Sequence, residues 1–210
     1  GETIVVDGPF DALAHPGYGA GAFTPQSRAS QRVARVVDPQ PGERVLDLCA
    51  APGGKTTHIS ALMGATGTVI AVERHAGRAS ALQRTCERMA AHNVEVRIGD
   101  AARFHSDETF DRVLVDPPCS GLGTLQGHPD LRWRMTPEAI ETMARSQANI
   151  LAAAVAALRP GGTLVYSTCT LSERENEQQV AATGLRLESE RLVLPHRDRT
   201  DGFYIARATA

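Results

Sequence analysis

The chain has 210 residues, 42% of them hydrophobic, and a formal net charge of −2. That is enough apolar material for one α/β domain with a real core, and it excludes a globally basic nucleic-acid binder. Four scattered cysteines with no C-x-x-C pair argue against a disulfide or metal framework, and no run approaches a membrane helix or a signal peptide, so a reduced, cytoplasmic setting without metal or membrane is expected.

Residues 1–23 mix Gly, Pro and His with few large apolar groups and read as a linker, with one short strand at Thr3–Val6. The chain begins at Gly1, which fits a fragment of something longer. A helix is predicted from Thr24-Pro25-Gln26, burying Ala29, Val33, Val36 and Val37 and closed by Asp38 to Gly42. Arg28, Arg32 and Arg35 share helical spacing and face either phosphate or solvent.

Arg44–Leu48 is the first buried strand. Cys49-Ala50-Ala51-Pro52-Gly53-Gly54 follows as a loop of small residues, and Lys55–Met63 as a helix. Small side chains let a ligand reach the backbone N–H groups, so the loop reads as a cofactor cradle. It is not a P-loop, because Cys49 stands where that pattern needs glycine, and G-x-G-x-x-G is absent too. Thr68–Glu73 is the next strand, and Glu73 at its end can accept from ribose hydroxyls. The helix Ala76–Ala91 turns Ala79, Leu82, Cys86 and Met89 inward, which makes Cys86 a packing residue. Val94–Ile98 alternates like an edge strand. Asp100 beyond it either meets an adenine amino group or caps a helix.

Val113-Leu114-Val115 is a fully apolar strand cut off by Asp116-Pro117-Pro118-Cys119, since proline cannot continue a central ladder. Ser120–Met135 is a long loop carrying Arg132-Trp133-Arg134, suited either to a nucleotide or to packing under the next helix. That helix starts with Thr136 as cap and Pro137 in the first turn and runs to Leu158. Thr163–Ser167 delivers Thr168-Cys169-Thr170, Ser172–Glu175 matches a capping box, and Arg186–Leu194 with Phe203–Ala208 form an antiparallel edge. The alternation implies a doubly wound, mostly parallel sheet. The strand ending in Asp116 should lie beside the first strand and the one ending in Cys169 beside that, so both cysteines can converge on one small ring.

Asp47-Leu48-Cys49-Ala50-Ala51-Pro52-Gly53-Gly54-Lys55-Thr56, Asp116-Pro117-Pro118-Cys119-Ser120-Gly121 and Tyr166-Ser167-Thr168-Cys169-Thr170 together resemble the motifs of the RsmB/Sun (Fmu) family of RNA cytosine-C5 methyltransferases. Phe23-Thr24-Pro25-Gln26, His128-Pro129-Asp130, Arg132-Trp133, Glu175-Asn176-Glu177 and Asp201-Gly202-Phe203-Tyr204 resemble family segments in the same order. The resemblance implies a class I S-adenosylmethionine-dependent, Rossmann-like fold over residues 24–210, with residues 1–23 as linker or remnant of an upstream region. It implies S-adenosyl-L-methionine held by Cys49, Ala50, Ala51, Pro52, Gly53, Gly54, Lys55, Glu73, Asp100 and Asp116, with Arg78 nearby. It further implies attack of Cys169 on cytosine C6, with Cys119 assisting release, Asp116 on the N3/N4 edge and Lys55 supporting the thiolate. The expected substrate is RNA, 16S ribosomal RNA first and tRNA second; a non-catalytic ribosome-assembly factor on the same fold is the rival. Two departures stand out: Gln126-Gly127 replaces basic residues common in relatives, and the N-terminal RNA-binding domain of bacterial relatives is not in this sequence, so RNA affinity is expected to depend on it.

Overall fold

A computed structural model of the chain describes residues 4–6 and 8–210. Thr3 of the strand expected at Thr3–Val6 lies outside the described residues, and 4–6 form no strand. A four-residue helical turn, α1 (Pro16–Gly19), precedes α2 (Arg28–Val37). α2 begins later than predicted because Ser27, not Thr24, caps it: Ser27 Oγ accepts from Ser30 N at 3.2 Å. The stretch before α2 is docked rather than free. Arg88 lies 3.9 Å over the Tyr18 ring, and its guanidinium donates to the carbonyls of Tyr18 and Phe23.

β1 (Arg44–Asp47), α3 (Gly54–Leu62), β2 (Thr68–Glu73), α4 (Ala76–Arg88) and β3 (Val94–Ile98) make the first half. The second half holds β4 (Phe110–Val115), α5 (Leu131–Arg134), α6 (Pro137–Ala157), β5 (Leu158–Thr168), α7 (Glu177–Ala182), β6 (Arg186–Val193), α8 (Pro195–Asp198) and β7 (Phe203–Thr209). The sheet runs β3-β2-β1-β4-β5-β7-β6, parallel through β5, with β7 antiparallel to both of its neighbours, β5 and β6. The expected neighbours of the first strand are the observed ones.

Continuous apolar runs appear because both faces of the sheet are covered. Along β4, Val113 and Val115 face the core under α6, with Ile150, Leu151 and Ala154. Leu114 between them faces Val33, Val37, Ile59 and Met63 of α2 and α3. Leu82 and Cys86 of α4 pack on Ala50, Ala51 and Ala71. The order reverses direction between β1 and β4, so the connections leaving those two strands go opposite ways and open a crevice above their carboxyl ends.

Two expectations need correction. The stretch Ser120–Met135 is not an unbroken loop: a 3-10 turn spans Leu122–Thr124, and α5 follows. Nor is Ser172–Glu175 a capping box. Ser172 makes no side-chain cap bond, and Glu175 turns inward to be fully buried, because buried donors of the neighbouring loop claim its carboxylate.

Candidate active site

Strand register decides which side chains meet at the carboxyl edge. Val115 pairs with Tyr166, so the residues that follow, Asp116 and Ser167, stand side by side. Ser167 Oγ donates to Asp116 Oδ1 at 2.8 Å, and Lys55 Nζ donates to Oδ2 at 2.6 Å. Burial alone would depress the Lys55 ammonium; the Asp116 carboxylate outweighs it and holds Lys55 above its ordinary value. The Lys55 ammonium also lies 5.4 Å from the Phe203 ring centre.

Three residues past Asp116 and two past Ser167, Cys119 and Cys169 bring their sulfurs to 3.4 Å, both reduced and half-buried. The hydrogen bond with the Cys119 thiol is the largest influence on Cys169 and pulls its pKa below the ordinary cysteine value. Burial and the Asp116 charge oppose it, and Lys55 adds to it. The same hydrogen bond, together with burial, pushes Cys119 far up. The two shifts run in opposite directions, so Cys169 is the more readily ionised thiol of the pair. The other two cysteines are both shifted up. Burial beside Asp47 raises Cys49, and burial in the α4 core raises Cys86 to about 11.

A buried polar network fixes the two loops. Glu175 accepts from Ser120 N at 2.8 Å, Ser120 Oγ at 2.5 Å and Gln147 Nε2 at 3.1 Å. Gln147 Nε2 also donates to Pro118 O at 2.9 Å, and the Ser120 and Thr170 hydroxyls lie 2.7 Å apart. Asn176 holds the far side, accepting from Thr168 Oγ1 and donating to Thr170 O. Cys119 thus lies between Pro118 and Ser120, both linked to Glu175, and Cys169 between Thr168, held by Asn176, and Thr170, which meets the Ser120 hydroxyl. Gly123 closes the arrangement, with its N–H on Cys169 O at 2.9 Å and its carbonyl on Gly202 N at 2.8 Å. A Cβ there would stand 2.1 Å from Gly202 O, so only glycine permits the approach.

Next to the thiols, a cleft is lined by Gln26, Ser30, Asp47, Cys49, Pro52, Gly54, Lys55 and Asp116, among others. Gly53 makes its turn at φ 107, with Leu82 and Thr85 where a Cβ would be, while Gly54 has only Gln26 nearby at 3.6 Å. Asp47 is fully buried. Its Oδ2 accepts from Thr56 Oγ1 at 2.7 Å, and its Oδ1 has no hydrogen-bond partner among the described residues. Burial raises its pKa to about 6, against the Thr56 bond and Lys55. A floor of small residues and one buried, unclaimed acceptor suit a ligand that brings its own donors. Glu73 is buried at the end of β2, accepting from His75 N at 2.8 Å and lying 3.4 Å from Arg78 Nε. Arg78 also donates to Ala51 O, joining Glu73 to the loop. Asp100 caps its own turn through Ala102 N at 3.1 Å.

Arg28 and Arg35 are exposed on α2, and none of the three arginines lines the cleft. Trp133 is 83% exposed, so it is not packed under α6. Gln26, Ser30, Ser120, Gln147 and Ser167 were not picked out by sequence reasoning. Gln147 had a signal: it interrupts the apolar face of α6 between Ala144 and Ile150, where a polar residue must find a buried partner. No helix among the described residues is long and apolar enough to cross a membrane.

The family described as 16S rRNA methyltransferase RsmB/F matches residues 34–192. A probable ribosomal RNA small subunit methyltransferase B of Synechocystis sp. is 40% identical over 91% of this chain and 48% of its own length. The ribosomal RNA small subunit methyltransferase B of Yersinia enterocolitica is 39% identical over the same shares, 91% and 48%. Among solved structures, NSun6 from Pyrococcus horikoshii with SFG superposes with a TM-score of 0.90 at 34% identity, over 96% of this chain and 56% of that one. The chain spans about half the length of the curated relatives it matches.

Proposed function

We propose, from the premise that the chain belongs to the 16S rRNA methyltransferase RsmB/F family, that it is an S-adenosyl-L-methionine-dependent enzyme forming 5-methylcytosine in ribosomal RNA through a covalent cysteine adduct. The observation that carries the reading is the sulfur pair at 3.4 Å, polarised toward a Cys169 thiolate beside the Lys55–Asp116 ion pair. The reading assigns residues 24–210 to the catalytic domain and 1–23 to a linker or the remnant of an upstream region.

S-adenosyl-L-methionine, when bound, supplies an electrophilic methyl group. The residues that would hold it are the 49–55 loop, Glu73, Asp100 and Asp116, with Arg78 bracing the loop; the small floor and the unclaimed Asp47 Oδ1 fit a ligand rich in donors. Cytosine C5 is too weak a nucleophile to react unaided. Cys169 Sγ attacks C6, and the π electrons move to C5, making it enamine-like. Asp116 accepts from the amino edge of the ring and fixes its orientation while Lys55 balances its charge. Once C5 carries the methyl group, a water molecule takes the C5 proton, the C–H electron pair re-forms the C5–C6 double bond, and the C6–S bond breaks so that Cys169 leaves as a thiolate. Cys119 stabilises that leaving thiolate by the same S–H donation that lowers the Cys169 pKa at the start. A base paired within RNA has to leave the stack first, since both reacting carbons need an open ring face.

The test is mass-spectrometric mapping of 5-methylcytosine in ribosomal and transfer RNA from cells with and without the gene. Loss of one modified cytosine from the small-subunit RNA is expected. Loss from tRNA alone moves the substrate assignment, and no change in either pool supports an assembly factor instead.

A further inference from the structure

We propose that Trp133 is a stacking platform for an unpaired base of the substrate RNA, next to the base held at the cysteine pair. This rests on the reading of the chain as an RNA methyltransferase. Trp133 is the only tryptophan in the chain, and it is 83% exposed, although a ring of that size is ordinarily covered for most of its area. It stands on a built element rather than a slack loop. Trp133 N donates to Asp130 O at 3.0 Å, and Met135 N donates to Leu131 O at 3.0 Å. Leu131 Cδ1 comes within 3.0 Å of the position a Cβ on Gly121 would take, and Gly121 is two residues from Cys119. The turn that begins there ties Gly123 N to Cys169 O at 2.9 Å. With a helical rise of about 1.5 Å per residue, Trp133 sits a short step from the backbone that carries both thiols.

Its neighbours decide between partners. Arg134 is anchored to Asp130 at 3.1 Å, and Arg132 is exposed with no ion-pair partner among the described residues. Gln126, Gly127 and His128, in the loop that leads to α5, are exposed as well and polar or without a side chain, whereas a protein partner's docking patch is centred on apolar residues. A ring flanked in the chain by two exposed arginines fits a base between phosphates: every base offers a π face, and arginine neutralises the backbone.

Because Trp133 is the sole tryptophan, its emission reports the stack directly. The chain is titrated with a short single-stranded RNA containing cytosine and with an abasic oligonucleotide of equal length, while anisotropy of end-labelled RNA follows binding independently. RNA should quench Trp133 in step with binding, and the abasic strand should not. Trp133→Ala should weaken RNA binding about tenfold and Trp133→Phe by less, with S-adenosylhomocysteine binding unchanged in both. Arg132→Ala should lower the slope of log affinity against log salt by about 0.7. Binding without quenching, an alanine variant that binds RNA as well as the parent, or no RNA binding at all overturns the platform. Methyl transfer to the same RNA is scored separately. Transfer without quenching removes the platform and leaves the methyltransferase reading; quenching without transfer does the reverse.

Discussion

Cys169 and Cys119 carry the same thiol into nearly the same place and end with opposite properties. Their order in the sequence does not reveal this. What separates them is the bond between the two sulfurs, which shifts Cys169 down and Cys119 up, with Lys55 adding to the fall at Cys169. Removing Cys119 should therefore raise the Cys169 pKa. In Cys119→Ala, the pH dependence of Cys169 alkylation by iodoacetamide should move to higher pH; an unmoved curve would mean that the sulfur–sulfur bond does not set the thiolate. Asp47 makes a second prediction. Its folded pKa, about 6, lies above the ordinary value of 3.8. The protonated form is thus the favoured one, and that contribution is full below about pH 4 and lost as pH rises through 6. Asp47→Asn keeps an acceptor for Thr56 without the buried charge. It should raise the melting temperature at pH 7.5, by an amount corresponding to about 2–3 kcal/mol, and leave it unchanged near pH 4. A gain of equal size at both pH values would show that burial of charge is not its source.

Elements were legible in proportion to how much of their pattern is local. β2 has the bounds its apolar run predicts, and α6 starts at its Thr136 cap and Pro137. Asp116 and Cys169 were legible as strand-end residues because prolines and polar runs cut those strands off. Glu175 was not. Ser172 and Glu175 carry the local signature of a cap, yet Ser120 and Gln147, 55 and 28 residues away, take the carboxylate. Local pattern cannot announce a partner that arrives from another strand. The consequence can be measured. Glu175→Gln keeps the volume and an acceptor for Ser120 N and Gln147 Nε2, but it sets an amide NH2 against the Ser120 hydroxyl and removes the charge from these bonds, at a cost of about 1–3 kcal/mol. Because the network brackets both cysteine loops, turnover should fall at least about tenfold while S-adenosylhomocysteine affinity stays within about twofold of the parent. Turnover equal to the parent's, with the same lowered melting temperature, would reduce Glu175 to a stability residue.

Across the whole molecule, three ingredients converge only because of sheet order. The small-residue loop leaves β1, the Asp116–Cys119 turn leaves β4, and Cys169 leaves β5, and these three strands are adjacent. That adjacency was readable from alternating strands and helices, since right-handed crossovers leave few other arrangements. The docking of Tyr18 and Phe23 on Arg88 was not, because an arginine on the outer face of an amphipathic helix looks solvated until a partner is known. The adjacency also underlies the central claim, that the thiol on β5 attacks the base while the thiol beyond β4 releases it. The most direct measurement is peptide mapping of the product formed when Cys119→Ala is incubated with S-adenosyl-L-methionine and a cytosine-containing ribosomal RNA fragment. A denaturant-resistant RNA adduct on the peptide containing Cys169 is the predicted result; an adduct on Cys49 or Cys86, or full turnover with none, would contradict it.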